Sequence, residues 1–382
     1  MQDIKKSRDE IDEINFQILR LFERRMKISD DVADYKVANG LPIHDAIRER
    51  KILDAITDSA SAENRVQARM LFQTLMDLSR SRQVLRMHGL SEKYFSTRIK
   101  AAIASTENEL PKTGRIACQG VEGAYSQQAA DKLFPLGKLI YFGSFNGVFD
   151  AVESGDCDFG ILPIENSSHG TVSAVYDLMK DHSFSIVRSI KMKIDHSLLA
   201  KKGACLDNIK AVYSHEQAIG QCSRYFASHP EIEVIACANT AAAAKFVAES
   251  GRDDIAAIAS GVNAGIYGLR ALPVKIQNSD SNFTRFICIS KEMKIYPGSD
   301  RVSIMLKLAH KPGALYRLIA KFAAMGINLT KIESRPIEGS DFEFTFFMDF
   351  DMSVYSDELY ALLDSLDEDC DGLTFLGGYR QV

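Results

Sequence analysis

Residues 158–172 read Asp158-Phe-Gly-Ile-Leu-Pro-Ile-Glu-Asn-Ser-Ser-His-Gly-Thr-Val172, and this stretch sets the terms for the rest of the chain. Phe159 to Ile164 is an apolar run long enough for one buried strand. Glu165, Asn166, Ser167, Ser168 and His169 follow it directly. A hydrophobic strand ending in carboxylate, amide, hydroxyl and imidazole groups is where open α/β sheets place ligands. Pro163 removes a ladder donor and argues against an ordinary central strand. Taken alone, the stretch reads equally well as a polar loop leaving a strand.

The surrounding composition narrows the class. A chain of 382 residues has room for two or three domains with proper cores. A hydrophobic content of 46% and a charged content of 25% are ordinary for a globular protein. The net charge of -5 gives no reason to expect nucleic acid. The cysteines number seven, with no Cys-x-x-Cys pair. Reduced thiols and a cytoplasmic location are therefore expected, with neither a disulfide framework nor a zinc site. Met1 to Lys6 lacks a signal-type apolar core, and no apolar run approaches membrane-spanning length. Gly120 and Gly123 are too few for a dinucleotide fingerprint. No metal, cofactor, nucleic acid or membrane is expected.

Upstream, Ile11, Ile14, Ile18, Leu21, Ile28, Val32 and Tyr35 keep an alternating three-and-four spacing. That predicts a long amphipathic helix with a coiled-coil-like seam. Arg25 occupies the same seam. A guanidinium among Ile and Leu must meet an anion, from the protein or from a ligand. Lys36 follows about three helical turns later and shares its face. Arg8 lies roughly 25 Å away along the axis, so it is either unrelated or serves the site of an antiparallel partner copy. Gly40 and Pro42 end the helix, and a second begins near Asp45. Asp45, Arg48 and Glu49 share a face there, with Asp45 also suited to an N-cap. On a third helix from about Asn64, Leu71, Leu75, Ser79 and Gln83 form one row. Such an inward polar set suits a compact dicarboxylate bearing an ether or hydroxyl. It lacks a nucleophile–base pair and points to catalysis by shape and charge.

On these residues, roughly 4–90 resemble the all-helical chorismate mutase domain, a domain-swapped dimer of three-helix chains. The resemblance implies that Arg8 of the partner subunit and Arg25 hold the substrate carboxylates. It assigns Lys36 and Gln83 to the ether oxygen, and Arg48 to a further positive charge. Glu49 and Asp45 fall to the hydroxyl and the ordering of the pocket, and Ser79 to a supporting donor. The implied reaction is the Claisen rearrangement of chorismate to prephenate, in which no proton needs to move.

From Arg86 to Thr113 the pattern weakens into a helical connector, with a boundary near residue 112. Strand and helix signals then alternate. Strands are expected at Arg115–Cys118, Leu139–Phe142, Phe184–Lys193 and His196–Ala200, the last two continuing the first sheet. A second lobe is expected from about Ile209, with strands at Ala211–Tyr213, Glu233–Cys237 and Ile255–Ala259. A last strand covers Thr284–Ile289. Polar groups recur at strand ends of both lobes, which suggests a ligand in the cleft between them.

The motifs Gly120-Val-Glu-Gly-Ala-Tyr-Ser126, Pro163-Ile-Glu-Asn-Ser167, Tyr213-Ser-His215 and Thr284-Arg-Phe286 resemble prephenate dehydratase. Val121 and Glu216 stand where that family usually has proline. The resemblance implies a two-lobed, periplasmic-binding-protein-like α/β fold and conversion of prephenate to phenylpyruvate. Thr284 matches the essential hydroxyl, with Glu165 as the rival acid. Asn166, Ser214 and Gln221 match polar residues around the substrate. Arg285 holds a carboxylate or forms a structural ion pair. His169, His196 and His215 read as loop-positioning groups rather than acids.

After Arg301 the order is β-α-β-β-α-β, a ferredoxin-like α+β unit. Gly313-Ala314-Leu315 and Glu333-Ser334-Arg335-Pro336 resemble the phenylalanine-binding motifs of an ACT-type regulatory domain, although Tyr316 replaces the usual valine. The expected arrangement is a mutase domain at 1–90, a linker at 91–113, a dehydratase domain at 114–291 and a regulatory domain at 300–382. As a whole the chain resembles the bifunctional chorismate mutase–prephenate dehydratases. The resemblance implies a homodimer or higher homo-oligomer using chorismate and prephenate, with L-phenylalanine as inhibitor. The rivals are a dehydratase whose helical part only dimerises, and a non-catalytic sensor.

Overall fold

The computed structural model describes residues 4–42, 45–88, 94–337, 339 and 343–382. The chain packs as two compact units, Met1–Arg98 with Asp357–Asp369, and Ile99–Ser356 with Cys370–Val382. The first residues of the expected linker, 91–93, lie outside the described residues, as does position 342, where the sequence pattern starts a strand running to Phe350.

In the first unit, α1 (Ile4–Ala38) runs unbroken for 35 residues, because nothing in it interrupts helical hydrogen bonding. Gly40, at φ 62, accommodates the left-handed turn that ends it. The N-cap of α2 (Ala46–Ser59) is Asp45, whose carboxylate accepts from Arg48 N at 3.0 Å. α3 (Arg65–His88) packs on both. Arg82 forks onto Asp30 at 2.7 Å, and Arg86 onto Asp34 at 2.7 and 2.8 Å, one turn apart on each helix. These exposed pairs fix the register of α1 against α3 more than they stabilise it. The apolar seam itself is uncovered in the single chain: Ile11 is 55%, Ile18 56% and Leu21 65% exposed.

α4 (Tyr94–Ser105) leads into the second unit. Its first lobe contains β1 (Arg115–Gln119), α5 (Tyr125–Leu133), β2 (Lys138–Phe142), α6 (Phe145–Ser154), β3 (Phe159–Asn166), β4 (Gly170–Thr171), α7 (Ser173–Leu178) and β5 (Ser185–Lys193). The second lobe contains β6 (Ser197–Ala200), β7 (Ala211–Ser214), α8 (Glu216–Gln221), α9 (Ser223–Ala227), β8 (Glu233–Ala236), α10 (Thr240–Glu249), β9 (Ile255–Ala259), α11 (Val262–Ile266) and β10 (Arg270–Ala271). The chain then returns as β11 (Phe283–Ser290) into the first sheet, whose order is β2-β1-β3-β11-β5.

Two expectations need correcting. The strand expected at His196–Ala200 does not continue the first sheet. As β6 it pairs with β9 and β10 in the second sheet, so the second lobe begins before Ile209. β3 is a central strand despite Pro163. The β1 ladder ends at Ile161, so the proline lacks a neighbour on that side. On the other side the β11 register shifts between Arg285 and Phe286, at the position facing Pro163.

A third sheet closes the chain: β12 (Arg301–Lys307), α12 (Ala314–Ala324), β13 (Leu329–Pro336), β14 (Phe344–Asp351), α13 (Asp357–Asp369) and β15 (Leu373–Tyr379). Its strand order is β13-β14-β12-β15, with antiparallel pairings. The segment after β15 runs along the free edge of β5. Ser189 and Lys191 exchange backbone hydrogen bonds there with Arg380 and Val382, at 2.9 to 3.2 Å. Gly377, at φ 156, makes this approach possible, since a Cβ there would sit 2.1 Å from the Ile186 carbonyl oxygen. Gly377→Ala is expected to destabilise the second unit by about 1–3 kcal/mol. Its chemical-denaturation midpoint should fall accordingly; an unchanged midpoint would contradict this packing.

Candidate active sites

The helical unit forms an open pocket of about 680 Å³ lined by residues of α1, α2 and α3 and by Leu41 and Asp45 between the first two. Arg25, Lys36, Asp45, Arg48, Glu49, Ser79 and Gln83 all border it. Arg25 donates to the Leu75 carbonyl at 2.6 Å and to the Ser79 hydroxyl. Both acceptors are neutral, and among the described residues Arg25 has no carboxylate partner. Burial accordingly draws its pKa below the usual arginine value. Lys36 Nζ donates to Gln83 Oε1 at 3.2 Å. Arg24 and Arg80 add two cations to the lining that the sequence reading passed over. Arg80 bridges Glu49 at 3.3 Å and also pairs with Asp77, its neighbour at i−3. Cations therefore outnumber carboxylates around the cavity, an arrangement complementary to an anion. Arg8 is exposed and takes no part in the lining. Asp45 both caps α2 and borders the cavity.

In the α/β unit the polar residues after β3 meet the start of β11. Asn166 Oδ1 accepts from Ser168 N at 2.9 Å and from His169 N at 3.1 Å. Its amide nitrogen is thereby turned outward, donating to Thr284 Oγ1 and Asn282 Oδ1, both at 2.9 Å. Thr284 thus accepts with a lone pair and keeps its hydroxyl hydrogen for another acceptor. Asn282 Nδ2 donates to Gln221 Oε1 at 2.8 Å, and the same oxygen lies 2.7 Å from His196 Nε2. Gln221 Nε2 lies 3.1 Å from His169 Nδ1. One network therefore runs from Thr284 across to the second lobe. A hollow of about 340 Å³ beside it is lined by Ser168, His169, Gln221 and Asn282.

Burial lowers the His196 pKa, and its bond to Gln221 opposes this only in part. The His196 ring is therefore uncharged at neutral pH and sits between the Tyr125 hydroxyl, 3.3 Å from Nδ1, and Gln221. The neighbouring Cys222 thiol is pushed up to about 12 by burial and supplies no thiolate at neutral pH. Ser214 is fully buried and donates to the Ile258 carbonyl at 2.7 Å, so in this conformation it does not face the hollow. Glu165 accepts from Lys331 at 3.1 Å and lies 3.4 Å from Arg285. Arg285 donates to Asp349 at 2.6 Å. Of the two readings of Arg285, the ion pair is the one observed. Sequence reading missed Asn282, Lys331 and Asp349; Asn282, two residues before Thr284, and Asp349, a carboxylate within an apolar run, offered local signals.

The C-terminal motifs occupy different parts of the third sheet. Ala314 and Leu315, with Phe344 and Phe346, line a small hollow of about 120 Å³, and Gly313 caps α12. Glu333, Ser334, Arg335 and Pro336 lie on edge strand β13. Glu333 accepts from Thr171 at 2.6 Å, and Arg335 forks onto Asp177 at 2.8 and 2.6 Å.

Comparison with known proteins follows this division. Residues 7–84 match the family model of chorismate mutase type II, and residues 116–294 that of prephenate dehydratase. Over 386 residues the chain is 32% identical to the bifunctional chorismate mutase/prephenate dehydratase of Aquifex aeolicus (strain VF5), covering 100% of this chain and 99% of that one. It is 38% identical over 282 residues to arogenate dehydratase 2 of Petunia hybrida, covering 69% of this chain and 71% of that one. The solved prephenate dehydratase of Arthrobacter aurescens, in complex with L-Phe, superposes with a TM-score of 0.64 at 28% identity, over 69% of this chain and 89% of that one. A helical mutase-type cavity and a two-lobed dehydratase-type unit on one chain, matched from end to end by such a relative, place this chain in the family of bifunctional chorismate mutase/prephenate dehydratases.

Proposed function

We propose that the helical cavity of this bifunctional enzyme rearranges chorismate to prephenate, and that the Thr284 site converts prephenate to phenylpyruvate, the entry to phenylalanine. The observation that carries the first assignment is Arg25, a part-buried guanidinium with only neutral protein acceptors. A substrate carboxylate completes its charge balance. Arg48 serves the same anion. Lys36 holds Gln83 Oε1, which turns the Gln83 amide nitrogen toward the cavity. Ammonium and amide together face the ether oxygen, where negative charge grows as the C–O bond breaks. Glu49, held by Arg80, and Asp45 receive the substrate hydroxyl, and Ser79 fixes Arg25. The cavity holds the folded conformer, and no proton is transferred.

Oligomerisation fits this site. The uncovered seam of α1 is a long apolar strip, and a second copy of the same helix is its natural cover. An antiparallel copy would carry Arg8 of the partner subunit to this cavity, which its own chain cannot do. We therefore read the active form as an intertwined homodimer.

In the dehydratase step a C–C bond breaks to release carbon dioxide. Its electron pair aromatises the ring and expels the ring oxygen as hydroxide, which takes up one proton from solvent to leave as water. Thr284 is the donor to that hydroxyl, because Asn166 occupies its lone pair and leaves its hydrogen available. Glu165, already accepting from a cation, is poorly arranged to act as the acid. Asn166 and Gln221 orient the substrate, and Ser214 supports the lobe. Arg285 acts through its ion pair.

The third sheet is read as an ACT-type module, from which phenylalanine restrains the dehydratase. The Arthrobacter relative, solved with L-Phe, supports this. Gly313, Ala314 and Leu315 of one chain and Glu333 to Pro336 of another would enclose the effector across a dimer of these sheets. Domain limits of 1–90, 114–291 and 300–382, joined by a linker at 91–113, follow from this reading. Among the described residues no helix is long and apolar enough to cross a membrane. The cysteines are free, which supports the cytoplasm as the site of action.

Arg25→Ala is expected to lower kcat/KM for chorismate on the order of 10²–10³-fold while prephenate turnover stays at wild-type level. Equal loss of both activities would contradict separate sites. Thr284→Val should lower dehydratase kcat by a factor on the order of 10² with mutase activity unchanged; full dehydratase activity would remove Thr284 from the mechanism. His196 adds a pH dependence. Its folded pKa lies below the unfolded value of 6.5, so below that pH the unfolded chain binds the extra proton. Stability should therefore fall as pH drops from 6.5 toward the folded pKa, and His196→Asn should flatten that slope in denaturation measured across pH. An identical slope in the variant would assign the acid lability elsewhere.

A further inference from the structure

Glu165 and Arg285 are cross-strand neighbours on β3 and β11. Lys331 and Asp349 are cross-strand neighbours on β13 and β14. The two pairs meet face to face. Lys331 Nζ lies 3.1 Å from Glu165 Oε1, Glu165 Oε2 lies 3.4 Å from Arg285 Nε, and Arg285 Nη2 lies 2.6 Å from Asp349 Oδ2. The four charges thus alternate in sign along one line that crosses from the third sheet to the first and back. Both ends are anchored. Lys331 also donates to Thr171 Oγ1 at 2.6 Å. The second oxygen of Asp349 accepts from Ser303 at 2.6 Å, and Ser303 meets the Tyr379 hydroxyl at 2.7 Å. Arg285 and Asp349 are 7% and 5% exposed, so neither charge has water as an alternative partner.

Asn166 directly follows Glu165, Thr284 directly precedes Arg285, and the two are themselves a register pair on β3 and β11. The β11 register slips immediately after Arg285. On the β3 side the ladder is irregular beyond that point, while β11 stays in register with β5, and the side-chain line adds to the hold on the β3 side. The Arg285 Nε–H is buried and makes no hydrogen bond, so its link to Glu165 is charge attraction alone. Moving Lys331 or Asp349 would therefore release Glu165 and Arg285 together.

We infer that Lys331 and Asp349, on the C-terminal sheet, are positioning residues for the dehydration step. They clamp Glu165 and Arg285 and thereby set the placement of Asn166 and Thr284. The dehydratase site is completed from the third sheet of its own chain, and the inference rests on the assignment of that chemistry to Thr284. Lys331 stands two residues before Glu333 on the same strand, so any shift of β13 is felt at Glu165.

The test uses the full-length enzyme. Lys331→Met, Lys331→Arg and Asp349→Asn are assayed for prephenate turnover, chorismate turnover and thermal unfolding. Lys331→Met and Asp349→Asn should lose on the order of 10- to 100-fold in dehydratase kcat, with the KM for prephenate within about threefold of wild type. Chorismate turnover in the same samples should be unchanged, and Lys331→Arg should regain most of the lost kcat. Wild-type kcat in Lys331→Met overturns the inference, as does a loss that falls on KM alone or that Lys331→Arg does not repair. If Asp349→Asn does not fold, the comparison of Lys331→Met with Lys331→Arg still decides. Wild-type protein that leaves prephenate intact would instead sink the dehydratase assignment itself.

Discussion

A guanidinium taken out of water needs an answering charge, and this chain meets that requirement in two ways. At Arg25, which is only part-buried, the described residues offer a carbonyl and a hydroxyl but no carboxylate. At Arg285 the protein supplies Asp349 itself. Burial alone would lower the Arg285 pKa, but Asp349 and its neighbours outweigh it and hold the group above the usual arginine value. The first arrangement leaves a positive charge facing the helical cavity, which is what the proposed mutase site requires. The second makes a rigid joint, since removing either partner would strand a buried charge.

The joint matters because of how the α/β chain is threaded. β11 follows the second lobe in the chain and lies between β3 and β5 of the first sheet. That return sets Thr284 against Asn166, residues far apart in sequence. Asn282 and Gln221 then extend the contact to the second lobe. The third sheet seals the free edge of β5 through the backbone and reaches β3 and β11 through Lys331 and Asp349. On the proposed assignment, motion of that sheet has a direct route to Asn166 and Thr284 through Lys331 and Asp349. Such a route is what an inhibitor bound at the third sheet would need in order to act by differential binding.

Much of this was legible in the residues because the decisive signals were local. Arg25 stood out as a charge on an Ile and Leu seam, and Asp45 as a cap, by spacing alone. The strands read from Phe159–Ile164 and Ala211–Tyr213 lay where apolar runs give way to polar residues, and they extend on to Asn166 and Ser214. What failed depended on distant partners. Nothing in Ser197–Ala200 tells which of two sheets it joins, because its partner β9 lies far along the chain. Pro163 was read by the rule for an unbroken ladder, and the ladder is broken beside it. Ser214 looked like a site residue by motif, yet its hydroxyl is spent on Ile258. Lys331 gave no signal in its alternating strand, whereas Asp349, a carboxylate inside the apolar run Phe346-Phe347-Met348-Asp349-Phe350, offered one that was passed over; both find their partners on the first sheet.

The central claim is that one chain carries two chemistries at separate sites, linked in order. Chorismate supplied to the purified protein, with chorismate loss and phenylpyruvate formation followed separately in the presence and absence of phenylalanine, tests it most directly. The account predicts that chorismate disappears, that phenylpyruvate accumulates after a lag, and that phenylalanine suppresses the second signal. Loss of chorismate with prephenate as the final product would contradict the Thr284 site, and no turnover of either compound would contradict the account as a whole.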